Sequence, residues 1–443
     1  MQGIPDAIDT DRTPPLTIPL GHFVVATLLL LVGGVLGVVA TRYAGAVNTV
    51  GMVHLLAAGW IGITIMGAMT QFVPVWSGRA IHSRRLAVWE LWFVALGQLT
   101  FSVGLTVAEP WIIVAGTSSM FVGFWLFVWN IGRTLPAWGD QDVTERHFSF
   151  ALGSLSVGTI LGLMLALDFQ FGYLVEVGLT RTHLMLSHLT LTVFGFVTST
   201  VLGALYQLGP MFTQSETTPT DAFLEEVERW TFPVGVVILA LGRLSNLEPL
   251  AMGGVAWILI GTGAFAVYFA RRLVYARVSW GPMLKRYAVV AVSLGAWTLL
   301  SVWPWLSKPI SPLTKFGAPV SSHVLFVGVF GFVIVGTVYH VVPFIVWLDR
   351  YADRLGFEKI PSIDDLYVDW VETVEFFFLT VGYVLMVLGS LFELPGSVFA
   401  IGGAMMALGI VAFGANMGYV VYRHHRGVFA DIATTLTTDP AKN

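Results

Sequence analysis

Two histidines open membrane-length apolar stretches that close on a shared signature. One is HLLAAGWIGITIMGAMTQFVP, from His54 to Pro74, and the other is HVLFVGVFGFVIVGTVYHVVP, from His323 to Pro343. A third copy, TLTVFGFVTSTVLGALYQLGP, runs from Thr190 to Pro210, with His188 two residues before its start. Aligned from the proline, glycines coincide at Gly59, Gly195 and Gly328, and again at Gly67, Gly203 and Gly336. Neutral imidazole is a good axial ligand for haem iron, and two imidazoles from facing helices give a six-coordinate electron-transfer haem. His54 and His323 share position and depth on two helices, so they are the expected pair for a low-spin haem b. The competing reading is a hydrogen-bonded histidine at each helix interface. Ionisable groups inside membranes lean towards function.

His188 stands two residues before the aligned position. Two residues turn a helix by ~200°, so its side chain is expected to face a different compartment from the His54–His323 site. There it would serve a second haem or a copper, or pair with His183, although a five-residue spacing places those two ~140° apart. Arg243 lies at about the depth of the expected haem and could meet its propionates, with Glu248 or helix-end carbonyls as alternative partners. His22 and His147 fall near helix starts and are expected to cap or snorkel. His340 aligns with Gln71 and Gln207, a polar trio that could line a path for water. Glu90 and Glu375 each read as lone carboxyls, either of which could relay protons. His82, His424 and His425 sit in basic loops.

The elements that must position these groups follow from composition. The chain has 443 residues, of which 56% are hydrophobic and only 11% charged, with a mean hydropathy of +0.78. So little charge cannot cover a soluble domain of this size, so the chain is expected to be an all-α integral membrane protein. Twelve spans are expected, at 17–40, 48–73, 86–107, 110–134, 147–168, 183–209, 230–247, 250–271, 286–306, 319–346, 373–392 and 396–422, each near the ~20 residues that cross a bilayer. The first span lacks a cleavage site of small residues and reads as a retained helix. Sizeable aqueous segments are limited to the tails and the 213–229 and 349–371 loops, which leave no room for a soluble catalytic domain.

With loops assigned alternately, 18 of the 23 basic residues fall on one side, so both termini are expected on the cytoplasmic side of the membrane. That set includes Arg12, Arg426 and Lys442 as well as Arg271, Arg272, Arg277, Lys285 and Arg286. Arg42, Arg181, Arg243, Lys308 and Lys315 remain for the other side. There are no cysteines, which excludes thiolate-held clusters, Cys-ligated copper and covalently attached haem. Nothing in the charge pattern suggests nucleic acid; membrane lipid is the expected surroundings.

The signature recurs at about a third of the chain. It divides a single twelve-helix domain into four-helix repeats at about 17–134, 147–271 and 286–422. Their opening helices echo one another in GHFVVATL at 21–28, RHFSFALG at 146–153 and KRYAVVAV at 285–292. Repeats in one orientation imply pseudo-threefold symmetry about an axis along the membrane normal.

These features resemble subunit I of the haem–copper oxidase superfamily. The likeness covers essentially the whole chain and is carried by GTVYHVVP, GALYQLGPMF and VVPFIVWLDRYADRLG. It is nearest to the short, divergent cbb-type subunit I-like proteins, and PVWSGR at 74–79 is similar to the nitric-oxide-response membrane haem proteins. The resemblance implies twelve helices in three arcs and a low-spin haem on His54 and His323. It also implies a quinol or small redox-protein donor and a partner subunit, in a respiratory or nitric-oxide-related system of a prokaryotic plasma membrane. The sequence departs from the family where oxygen would be reduced. Ser321 stands at the high-spin haem ligand position, TFPVGVVILALGRLSNL carries no His-His pair, and the sixth span has no His-Pro-Glu. Only His188, with His183, remains for copper, so a three-histidine site cannot be assembled by the family pattern. A terminal oxidase or nitric oxide reductase would need an unconventional metal site. A non-redox transporter or assembly protein on the same scaffold is the remaining alternative, although carriers of this length usually show halves rather than thirds.

Overall fold

The computed structural model describes residues 15–42 and 48–424, the side chains of 40–42 excepted. Arg12, His425, Arg426, Lys442 and the Arg42 side chain therefore lie outside the described residues. Helices dominate and no strand occurs among the described residues. The long helices are α1 (Thr17–Arg42), α2 (Thr49–Ser77), α3 (Arg84–Val107), α4 (Pro110–Thr134), α5 (Val143–Phe171) and α6 (Arg181–Thr213). They continue as α7 (Pro219–Leu244), α8 (Glu248–Val274), α9 (Pro282–Ser307), α10 (Val324–Arg354), α11 (Asp369–Leu391) and α12 (Gly396–His424). Eleven of them are long and apolar enough to cross a membrane, which makes the chain an all-α, multi-pass membrane protein.

α7 is the exception. Its first turns carry Asp221, Glu225, Glu226, Glu228 and Arg229, which leaves a short apolar remainder. The expected 213–229 loop is in large part the start of this helix. Thr218 caps it through a reciprocal capping box with Asp221, and Pro219 takes the first helical position. The segment T-P-T-D carries that signal in the sequence. The 349–371 segment is likewise partly helical, since α10 runs on to Arg354 and α11 starts at Asp369.

Partner choice follows small residues. α3 packs along α4, α7 along α8 and α11 along α12. In each pair a glycine allows backbone contact: a methyl on Gly97, Gly235 or Gly382 would lie 2.8, 2.9 or 2.7 Å from the carbonyl oxygen of Gly116, Gly254 or Gly402. Such stripes of small residues are how apolar helices gain contact where lipid competes for every side chain. α4 packs on α5, α8 on α9, and α12 returns to α1, so the helices close on themselves.

α2, α6 and α10 are the most buried, with 61, 83 and 72% of their most apolar windows covered by protein. They meet around an apolar cavity lined by Ile65 and Met69, Val201 and Leu205, and Ile334 and Val338. These six residues occupy the same two places in the signature. Outer helices present apolar side chains outwards, among them Leu96, Val292, Leu299 and Trp303, as lipid contact requires.

Each signature helix also changes winding. A π-helical segment runs from Leu55 to Gly62 in α2, Thr190 to Thr198 in α6 and Val324 to Gly331 in α10. Each ends twelve residues before its proline. A π turn adds a residue per turn and rotates what precedes it, so straight-helix bearings do not hold across it. All three segments begin beside the aligned positions His54, Thr190 and His323.

Two further contacts recur. A methyl on Gly67 would lie 2.6 Å from His22 Cβ, one on Gly203 2.6 Å from His147 Cβ, and one on Gly336 3.2 Å from Arg286 Cβ. Similarly, Gly59 faces Leu29 and Gln98, Gly195 faces Ser154 and Val236, and Gly328 faces Ser293 and Tyr383.

Candidate histidine site and buried polar clusters

His54 ends the first α-helical turns of α2. Its Nδ1 donates to the Val50 carbonyl at 2.8 Å, and its ring lies 4.9 Å from that of Phe101 on α3. A carbonyl only accepts, so the Nδ1 carries the proton and Nε2 presents a lone pair. His188 on α6 is held the same way. Its Nδ1 donates to the Gly158 carbonyl of α5 at 2.8 Å, and a methyl on Gly162 would come within 3.0 Å of its Cε1. His188 and His54 are close enough to interact electrostatically. His188 lies in the α-helical turn just before the π segment of α6, and His54 in the turn just before that of α2.

His323 stands just before the π segment of α10. Its ring packs edge-on against Phe399 of α12 at 5.2 Å, and its buried Nδ1 has no hydrogen-bond partner. His183 sits in the first turn of α6, where its backbone N–H donates to the capping Thr180 hydroxyl. Among the described residues no group of three or more His, Asp or Glu side chains gathers as a metal site.

Arg243 is wholly buried and spends its donors on the loop before α10. Nε donates to Pro309 O at 2.9 Å, Nη1 to Thr190 Oγ1 at 2.8 Å and Lys315 O at 3.1 Å, and Nη2 to Thr314 O at 3.4 Å. Its partners are thus backbone carbonyls, one of the expected alternatives, together with the Thr190 hydroxyl. Its guanidinium also lies 5.8 Å from the Trp305 ring, and Phe194 packs on both Trp305 and Trp297. Nearby, Ser321 donates to Ala318 O at 2.8 Å and meets Ser301 Oγ at 3.4 Å. Short polar and aromatic side chains fill this region.

Several groups expected at the membrane surface lie inside the protein. His147 does not snorkel: it is 2% exposed, with Nδ1 3.0 Å from Ser199 Oγ and Nε2 3.1 Å from Glu228 Oε2. Tyr206 donates to the same Glu228 oxygen at 2.9 Å. Arg286, counted above with the basic loops, is wholly buried and pairs with Glu372 and Glu375. Its guanidinium lies 4.8 Å from the Tyr339 ring and 5.0 Å from that of Phe376. Glu375 is therefore not alone; its partner is 89 residues away in the chain. Arg272, also counted as a loop charge, is 2% exposed and donates to Ser215 and Thr217. His22 is fully buried, donating from Nδ1 to Ile18 O at 2.9 Å.

His340 packs among aromatics, edge-on to Phe212 at 4.8 Å and stacked on Phe344 at 6.2 Å. Gln71 is buried while Gln207 is exposed, so the three do not share one environment.

Glu228 and Tyr206 escaped the reading of the sequence, although register could have found the carboxyl. Glu90, Glu228 and Glu375 each stand seven residues before Gly97, Gly235 and Gly382, the glycines of helix contact. No protein-family model matches this chain.

Proposed function

We propose that this protein is a membrane redox carrier built from three four-helix units about a pseudo-threefold axis, moving electrons through a b-type haem ligated by His54. The repeated glycine contacts, the matched π segments and the shared lining of the central cavity support the threefold architecture.

The observation that carries the haem is the pair His54 and His188. They stand on two different helices, each with Nδ1 fixed to a backbone carbonyl so that Nε2 faces away with its lone pair. Such a hydrogen bond from the other ring nitrogen is the usual means of orienting a metal-bound imidazole. Bound there, haem supplies one-electron transfer between ferric and ferrous iron. The chain's own part is positional. Val50 and Gly158 fix the tautomers, Phe101 limits the tilt of the His54 ring, and Gly162 leaves room for that of His188.

The resemblance to oxidase subunit I favours His323 as the second ligand, and its unpartnered buried Nδ1 is the observation on its side. Serine rather than histidine stands at position 321, the high-spin haem ligand position of the oxidase pattern, and it donates to Ala318 O, which supports electron transfer rather than oxygen or nitric oxide reduction. A quinol or small redox protein is the corresponding donor.

The test is the reduced-minus-oxidised visible spectrum of purified protein. A low-spin haem signal that His54→Ala abolishes is the expected result. Protein purified from haem-replete cells without that signal would sink the redox reading and leave a transporter or assembly role.

A further inference from the structure

Three sets of side chains occupy corresponding places at the proline ends of α2, α6 and α10. Each has a basic residue packed on or beside the glycine seven before the proline, a carboxyl seven before a helix-contact glycine, and a hydroxyl four before the proline. The sets are His147, Glu228 and Tyr206; Arg286, Glu375 and Tyr339; and His22, Glu90 and Thr70. In the first two sets the basic residue meets the carboxyl directly, at 3.1 Å between His147 and Glu228 and as an ion pair between Arg286 and Glu375. Tyr206 adds a hydrogen bond to Glu228, and Tyr339 lies beneath the Arg286 guanidinium.

The third set differs by one residue type. Threonine replaces tyrosine at position 70, so no phenol extends towards the carboxyl. Here polar atoms lack hydrogen-bond partners: Nε2 of His22, Oγ1 of Thr70, both carboxyl oxygens of Glu90, near which lies the side-chain amide of Asn130, and Oε1 of Gln71 beside Thr70. The four residues are 0, 0, 0 and 4% exposed. Because His22 Nδ1 gives its proton to Ile18 O, its Nε2 is a lone-pair acceptor. The orphaned atoms are thus an imidazole nitrogen, an amide oxygen, two carboxyl oxygens and a hydroxyl. This set is rich in acceptors and includes no cation. An anion would be repelled, and an unpaired buried carboxylate does not persist inside a membrane protein. Oxygen-rich sites of this kind suit a hard cation or a proton held with water.

We propose that His22, Thr70, Gln71 and Glu90 form an occluded site for a small monovalent cation, either a proton held with water or Na+. The proposal rests on the threefold correspondence for the convergence of these side chains, and is independent of haem binding.

Infrared difference spectroscopy tests it on the full chain in lipid vesicles, at neutral pH in choline chloride with and without NaCl. The expected result is the carbonyl stretch of a protonated, water-excluded carboxyl that Glu90→Gln removes. Persistence of that band in millimolar NaCl identifies the proton; its loss identifies Na+. Identical spectra for wild type and Glu90→Gln, with and without NaCl, would overturn the site. Thr70→Tyr restores the phenol of the other two sets and keeps the test open should Glu90→Gln fail to fold. In a Thr70→Tyr protein with native circular dichroism the band should shift to lower frequency or the NaCl response vanish, and a band and response unchanged from wild type would overturn the proposal. Because the readout is the carboxyl, a haem-free preparation tests it equally well.

Discussion

The Nε2 of His147 lies 3.1 Å from the Oε2 of Glu228, with both side chains sealed from solvent. Tyr206 donates to the same oxygen. Removing the carboxyl in Glu228→Ala orphans two buried polar groups, at about 1–3 kcal/mol each before relaxation. Glu228→Gln keeps an acceptor for one of them and should cost less. Thermal unfolding in detergent would check the ordering Glu228→Ala below Glu228→Gln below wild type; equal midpoints for all three would refute it.

Arg286 tests the same idea more severely. It is wholly buried between Glu372 and Glu375, with the rings of Tyr339 and Phe376 on either side. Arg286→Met leaves two carboxyls without their cation, a change of the class that costs about 3–5 kcal/mol. The triple variant Arg286→Met, Glu372→Gln, Glu375→Gln should recover a large part of that loss, measured as the unfolding midpoint.

The helix contacts predict a further cost. A methyl on Gly203 would lie 2.6 Å from His147 Cβ, part of a backbone-anchored stem that cannot swing aside. Gly203→Ala should destabilise by about 1–3 kcal/mol, as overpacking does. Gly153, whose added methyl meets nothing within 4 Å, should accept alanine with little change.

The start of α7 should respond to acid. Burial works to raise the Asp221 carboxyl, but hydrogen bonds from Arg271 and Thr218 outweigh it and hold the group below its ordinary value. A depressed folded value means the contribution is complete above the unfolded carboxylate range, near pH 4, and is lost as pH falls through the folded value. Asp221→Asn should flatten this acid limb of a stability-against-pH curve, and Thr218→Ala should cost about 1 kcal/mol at neutral pH.

The membrane class was legible from hydropathy, and the proline-anchored glycines were legible as repeats because close helix contact demands a small residue at a fixed register. What escaped has physical causes. The π segments alter backbone winding without a compositional mark. The partners of His147 and Glu375 lie on other helices, 81 and 89 residues distant, and Arg286, the first residue of its expected span, entered only the charge count. Such pairing is visible only once the helices have docked. The α7 capping box, by contrast, was present in the sequence as Thr218 to Asp221 and was obscured by the surrounding acidic residues.

Either His188 or His323 would hold a haem together with His54. Carbon monoxide binding to the reduced protein separates the two, because removing a histidine that holds the haem would leave it open to carbon monoxide. His188→Ala should convert the low-spin haem to a form that binds carbon monoxide, while His323→Ala should leave the six-coordinate spectrum intact. The reverse pattern, with His323→Ala opening the iron and His188→Ala leaving it closed, would contradict the pairing of His54 with His188.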